Sequence, residues 1–162
     1  MLDARRAELG RAQTELVRSL VAQGPVPADF DETRLRTMAR TLVNKRRTSL
    51  ARIWPSLVKA VGDSYTESFT KYAQSHSMPV CATPRGDGRA YLSWLATQHP
   101  LSDTLFLEAM AFDLRFLSTP QGLRPRSRFR VRMARLPQSR KLVIALRLPW
   151  LGERWWGVPQ RP

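Results

Sequence analysis

The chain reads as an α+β protein: an N-terminal bundle of about five or six helices, residues 1–119, precedes a small antiparallel β-sheet of two or three strands, residues 120–162. Three observations predict this. Apolar residues recur at intervals of three and four as far as Leu117, the mark of helices with one buried stripe. Most prolines and glycines up to that point fall between those stretches, where connections are needed. After Thr119 the apolar spacing drops to two, the period of a strand. The C-terminal sheet is expected to pack on the helical domain as a docking element.

The first helix spans about Asp3 to Gln23, with Leu9, Ala12, Leu16 and Leu20 on one side beside Val17, and Gly24-Pro25-Val26-Pro27 ends it. A second opens near Asp31, whose carboxylate is placed to cap free backbone N–H groups. Its expected stripe is Leu35, Met38, Leu42, Ser49 or Leu50, and Ile53, while Arg34, Arg36, Arg40, Lys45, Arg47 and Arg52 take the other faces. Proline has no N–H and drives its predecessor out of the helical region, so this helix stops at Trp54 and Pro55 starts a short new one. Gly62 ends that helix with a left-handed cap, and Trp54 itself is expected in the core. Asp63 or Ser64 caps the next helix, whose inward side carries Tyr65, Phe69, Tyr72 and Ala73. Ser75 to Pro84 is polar and twice broken by proline, hence a loop. Asp87 caps a helix bearing Tyr91, Leu92, Trp94 and Leu95, which His99-Pro100 closes. Ser102 opens the last helix. Leu105, Phe106, Leu107, Met110, Ala111, Leu114 and Leu117 are apolar on too many sides for a surface helix, so it is central.

Pro120, Gly122 and Pro125 mark a linker into the strands. Arg128, Arg130 and Arg132 then point one way and Phe129, Val131 and Met133 the other, which predicts a half-buried strand with its arginines in solvent. Pro137 to Arg140 turns the chain. Lys141 to Leu148 returns as a second strand with Leu142, Ile144, Leu146 and Leu148 on its apolar face. Pro149 to Gly152 turns again. Arg154 to Val158 adds a short third strand, where the adjacent Trp155 and Trp156 face opposite sides, one over the core and one as an anchor for a partner.

Composition bounds the function. With 162 residues, 43% of them hydrophobic and 25% charged, the chain is a folded domain, or one domain with an appendage. No apolar run approaches the roughly 18 to 20 residues of a membrane span, and no apolar signal core follows Met1, so a cytoplasmic protein with no membrane role is expected. The single cysteine, Cys81, forbids an internal disulfide and suits a reducing compartment. The net charge of +14 attracts anionic partners, whether nucleic acid, acidic peptide or anionic lipid, without choosing among them. An arginine-rich coding bias gives the same excess with no ligand at all.

One stretch is more specific. Arg34-Leu35, Leu50 and then Trp54-Pro55-Ser56-Leu57-Val58-Lys59-Ala60-Val61-Gly62-Asp63 resemble the core of a bacterial family labelled as a DNA-binding domain. There an arginine-led helix runs to an aromatic-Pro pair, then to Gly-Asp or Gly-Glu, then to an aromatic helix. Gly88 to Leu95 is similar to that family's Gly-x-x-aromatic-Leu helix, and Phe106 to Leu117, with Asp113, to its last apolar helix; the resemblance covers about Leu9 to Leu117. The family includes the methanobactin-biosynthesis partner protein. Its members pair with multinuclear non-haem iron oxidases that modify ribosomal precursor peptides. The resemblance therefore implies a non-catalytic recruiter in a heterodimer, with the iron on the oxidase and an acidic leader peptide added to the C-terminal strands. Where the family often has Tyr-Arg-x-Asn, this chain has Met38-Ala39-Arg40-Thr41, so no role of that tyrosine or asparagine carries over. The tail also resembles an extension fused to such oxidases in some actinobacteria.

The residue chemistry points the same way. His76, His99 and Cys81 each stand alone, so no metal or cofactor site and no catalytic residue is expected. Asp87, Glu108 and Asp113 read as a helix cap, a surface charge and a structural position. Gly86 and Gly88 lack the Gly-Lys-Ser/Thr of a phosphate loop. The candidate peptide-binding residues are Arg128, Arg130, Arg132, Lys141, Val143, Arg147, Trp155 and Trp156, because an edge strand offers unpaired N–H and C=O groups and arginines select acidic leaders. The same arginines also read as a solvated hairpin face that discourages edge aggregation. Two rival functions remain. Arg36, Arg40, Lys45 and Arg47 offer a phosphate-tracking surface for DNA without any reading motif, and a purely structural subunit would stabilise the oxidase without binding peptide.

Overall fold

In the computed structural model, residues 2–22, 25, 27, 30–78, 83–119, 121–148 and 150–157 are described. Cys81, Gly24, Val26, Pro120, Pro149, Val158 and the Leu20 side chain, all used in the reading above, lie outside that set, as does part of the 75–84 loop. The architecture is α+β. Six α-helices precede five strands among the described residues. The chain divides into two compact units, Met1–Ile53 with Asp63–Val80, and Trp54–Gly62 with Cys81–Pro162, so the compact division does not fall at residue 119.

The first unit is built from α1 (Leu2–Ala22), α2 (Glu32–Ile53) and α4 (Tyr65–Ser75), each touching the other two. Asp31 begins α2 as expected: its Oδ1 accepts the N–H groups of Thr33 at 2.9 Å and Arg34 at 3.2 Å. Leu35, Leu50, Tyr65, Phe69, Tyr72 and Ala73 form the core. The expected stripe of α2 is corrected, since Met38, Leu42 and Ile53 are exposed and the inward line runs through Leu35, Ala39, Val43, Arg46 and Leu50. Arg46 hides this line from an apolar count. Its stem lies along the core while its guanidinium sits 5.9 Å from the Phe69 ring centre and 5.7 Å from that of Tyr72, donating to the His76 carbonyl at 2.9 Å. On α1, Leu9, Ala12 and Val17 are likewise exposed and Leu16 only half-buried.

The second unit starts at the break. Trp54 leaves the helical conformation at φ −135° and ψ 64°, Pro55 is the first residue of α3 (Pro55–Val61), and Gly62 follows at φ 71°, a left-handed conformation that glycine alone takes without strain. Trp54 is buried, stacks on Phe112 with ring centres 5.4 Å apart, and donates from Nε1 to Glu108 Oε2 at 2.8 Å. Glu108 is thus no surface charge but the partner that satisfies a buried indole. The helix α5 (Pro84–Gln98) is capped by Thr83, whose Oγ1 accepts the Gly86 N–H at 3.1 Å. Asp87 lies one turn further in and is buried, so its expected capping role passes to Thr83. Ser102 caps α6 (Asp103–Arg115), accepting the Leu105 N–H at 3.3 Å. This helix is central, with seven buried residues.

The segment read as a helix end and linker is a hairpin. Strands β1 (Phe116–Thr119) and β2 (Gly122–Pro125) pair antiparallel, Phe116 opposite Pro125 and Thr119 opposite Gly122. A second antiparallel sheet follows in the order β3 (Arg130–Arg135), β4 (Leu142–Leu148), β5 (Gly152–Trp156). Arg128 and Phe129 precede β3. The β3–β4 turn is tied to the start of α6, where Asp103 accepts the backbone N–H groups of Gln138 at 2.9 Å and Ser139 at 3.1 Å. No helix among the described residues is long and apolar enough to cross a membrane.

Candidate functional site

The register of the three-stranded sheet fixes its two faces, because directly opposed residues share a face. Arg130 pairs with Arg147, Arg132 with Ala145 and Ala134 with Val143; Ala145 also faces Trp155, and Arg147 faces Glu153. This is the inner face. Val143, Ala145 and Leu136 are fully buried there with Leu107, Met110 and Leu114 of α6, and Ala134, Phe106 and Trp155 complete the cluster. The other face carries Val131 with Leu146 and Arg154, Met133 with Ile144 and Trp156, and Arg135 with Leu142.

The expected orientation of both strands is therefore reversed. The Val131, Met133 and Leu142 side is the exposed one, and Ile144, Leu146 and Leu148 are only half-buried. The physical reason is close approach: a helix packs tightest on the small side chains Ala134, Val143 and Ala145, and Leu142, Ile144 and Leu146 follow them to the far side one residue later. The arginines of the inner face lie towards the C-terminal end of α6, where Arg132 approaches Asp113. Arg126 Nε donates to the carbonyls of Asp113 at 3.0 Å and Phe116 at 2.9 Å.

Cations outnumber anions at that end. Asp113 accepts two hydrogen bonds from Arg89, 2.8 Å to Oδ1 and 3.0 Å to Oδ2, with Arg132 at 3.6 Å. Glu153 accepts two from Arg115, at 2.6 and 2.8 Å, with Arg147 at 3.8 Å. Burial would raise the Glu153 carboxyl, but the hydrogen bond and charge of Arg115, with Trp155 and Arg147, hold it below the usual carboxylate range. Six guanidiniums, those of Arg89, Arg115, Arg126, Arg130, Arg132 and Arg147, thus lie about the carboxylates of Asp113 and Glu153, and the charge of Glu108 also reaches Arg115. Burial, then the neighbouring charges of Arg130 and Arg132, push the Arg126 guanidinium below its ordinary value, Asp113 opposing them. The Nε atoms of Arg130 and Arg147 are buried with no hydrogen-bond partner among the described residues.

The sequence-derived site residues separate accordingly. Arg130, Arg132 and Arg147 come together on the inner face, and Trp155 beside them covers the core. Trp156 stands on the outer face, half exposed, so the two tryptophans face opposite sides. Val143 is fully buried and touches no solvent, which corrects its place among the peptide-binding residues. Lys141 is exposed just before β4 and Arg128 just before β3, both outside the cluster. Sequence reasoning missed Arg89, Arg115, Arg126, Asp113 and Glu153 as members. Arg126 carried a signal, lying beside the run Arg128, Arg130, Arg132; Arg89 and Glu153 carried none, since they are brought in from 41 residues before Arg130 and 23 after it.

The basic side of α2 is differently employed. Arg36 Nε donates to Glu32 at 2.8 Å, Arg34 lies 3.6 Å from Asp31, and Arg47 donates to Thr66 Oγ1 at 2.6 Å. Among the described residues no group of three or more His, Cys, Asp or Glu is placed to hold a metal ion.

A family described as SCO6045-like, C-terminal domain, matches residues 10–97, more than half of the chain. The chain belongs to this family. The segment that defines the SCO6045-like C-terminal domain runs from α1 into α5, so α6 and both sheets lie beyond it. A UPF0276 protein from Streptomyces avermitilis is 40% identical to this SCO6045-like chain over 76 residues, 47% of the chain but 16% of that much longer protein. No solved structure matches the chain.

Proposed function

We propose that this protein is a non-catalytic recruiter: it binds an acidic ribosomal precursor peptide and presents it to a multinuclear non-haem iron oxidase that carries the metal. The observation that carries the reading is β3. It is an edge strand, hydrogen-bonded to β4 alone among the described residues, and its Arg130 and Arg132 belong to a cluster of six guanidiniums that meets two carboxylates. A free edge supplies backbone groups for an added strand, and surplus guanidiniums supply selection for acidic side chains. The match to a small part of a much longer Streptomyces chain supports a domain that works beside a larger protein.

The test is a competition at about 0.15 M salt, where bare phosphate attraction is screened. An acidic peptide is expected to bind this chain more tightly than duplex DNA does. Micromolar or tighter DNA binding that outcompetes the peptide would move the function to nucleic acid and the exposed arginines of α2. Co-purification with an oxidase but no peptide binding, with or without that enzyme, would leave a purely structural subunit.

A further inference from the structure

We propose that the peptide taken up at β3 is read by alternation, with acidic side chains at every second position and apolar side chains between them. The inference rests on the recruiter reading and adds the pattern by which one acidic peptide is preferred to another. A strand added to an edge stands about 4.8 Å away, and each of its residues shares a face with the residue it opposes, whether it runs parallel or antiparallel. Positions opposite Arg130 and Arg132 therefore fall on the inner face, and positions opposite Val131 and Met133 on the outer one.

The two faces ask for different chemistry. On the inner face Asp113 is already held by two hydrogen bonds from Arg89, so Arg132, at 3.6 Å and with a 42% exposed side chain, has capacity left for a second carboxylate. Arg130 Nε has no hydrogen-bond partner among the described residues. On the outer face Met133 is 68% exposed and Val131 51%, beside half-buried Ile144 and Leu146. Apolar cross-strand neighbours would remove these from water, and polar ones would leave them wet. The alternation is confined to the positions opposite Arg130 to Met133, because Ala134 asks for nothing charged on the inner face and Arg135 on the outer face calls for an acid.

Other occupants and the other edge fit worse. A second copy pairing through its own β3 would bring arginine against arginine on a chain of net charge +14, which like-charge repulsion opposes. At β5 the inner face offers Glu153, already tied to Arg115, and it would repel an acidic strand.

Two synthetic peptides of identical composition decide the matter, one with glutamate and valine alternating and one with the glutamates grouped, titrated against the full chain at about 0.15 M salt. The alternating peptide is expected to bind at least about tenfold more tightly. The exposed variant Arg132→Glu, checked for folding by circular dichroism, is expected to lose that preference and to regain it when the facing glutamate is replaced by lysine. Equal binding of the two peptides would overturn the alternation while leaving acidic-peptide recruitment standing. Binding of neither would overturn both. Failure of the lysine peptide to rescue Arg132→Glu would overturn the register at β3.

Discussion

Two arginine-rich elements of this protein, α2 and β3, look alike in composition and differ in what surrounds their charges. On α2, Arg36 is answered by Glu32 one turn earlier, Arg34 by Asp31, Arg46 by two aromatic rings and a carbonyl, and Arg47 by a threonine hydroxyl, although the Arg47 Nε, like those of Arg130 and Arg147, is buried with no hydrogen-bond partner among the described residues. On β3 the nearest carboxylate, Asp113, is already occupied by Arg89. Charge density along a chain does not mark a binding surface. On β3 the carboxylate within reach of Arg132 is shared with a second guanidinium, and the proposed peptide site rests on that sharing.

The largest effect expected tests whether the β3 cluster depends on its apolar floor. Leu114→Ala removes a fully buried side chain of α6 beneath the sheet and should cost about 2–5 kcal/mol, whereas Met38→Ala on the exposed side of α2 should stay within about 0.5 kcal/mol. Urea denaturation checks this, followed by circular dichroism for Met38→Ala in the first unit and by tryptophan fluorescence for Leu114→Ala in the second. All five tryptophans lie in the second unit, so their fluorescence reports on that unit alone.

Next comes Arg46→Ala, which should destabilise the first unit by about 1–2 kcal/mol through lost ring stacking and a lost hydrogen bond, with peptide affinity unchanged. Circular dichroism melts beside peptide titrations separate the two readouts. Arg132→Ala should do the reverse. Its ion pair is long and 42% exposed, so stability should change by less than about 0.5 kcal/mol while acidic-peptide affinity falls about fivefold. If both variants lowered affinity equally, the contrast between helix and strand would fail.

The smallest effect is set by pH. The hydroxyl of Ser139 pulls the Asp103 carboxyl below its ordinary 3.8, burial opposing it and the N–H groups of Gln138 and Ser139 adding to it. Glu153 is held below 4.5 by Arg115. Carboxyls with depressed values stabilise the folded state fully above their unfolded values and lose that contribution as pH falls through the folded ones. The second unit should therefore weaken progressively below about pH 4.5, read as a falling urea midpoint of tryptophan fluorescence. The carboxyl of Glu67 in the first unit is also lowered, by Lys71, but Glu67 and Asp103 are both open to solvent, so the larger loss should come from the half-buried Glu153 in the second unit.

Much of the fold was legible. The Trp54-Pro55 break, the Gly62 end, the Asp31 and Ser102 caps and the buried ring set Tyr65, Phe69 and Tyr72 are local devices, each decided by residues within a turn or two. The first hairpin was not, because Phe116 and Leu117 extend an apolar helical pattern and nothing local says that the helix must stop at Arg115. The site was half legible. Arg130, Arg132 and Arg147 were found from alternation, while Asp113, Glu153, Arg89 and Arg115 became members only through packing.

By itself the sequence determined the helices, the period-two strands and the excess of positive charge, because each depends on covalent geometry and on neighbours in the chain. It did not determine which face of β3 and β4 looks inward, since a two-residue period reads equally well either way round. Only the tertiary structure decided that, when α6 settled on Ala134, Val143 and Ala145, the side chains short enough to let a helix approach. That choice turned Val131 and Met133 to water and gathered Arg130 and Arg132 at a helix end, so that the element first read as a charged solvent face became the cationic side of a free edge.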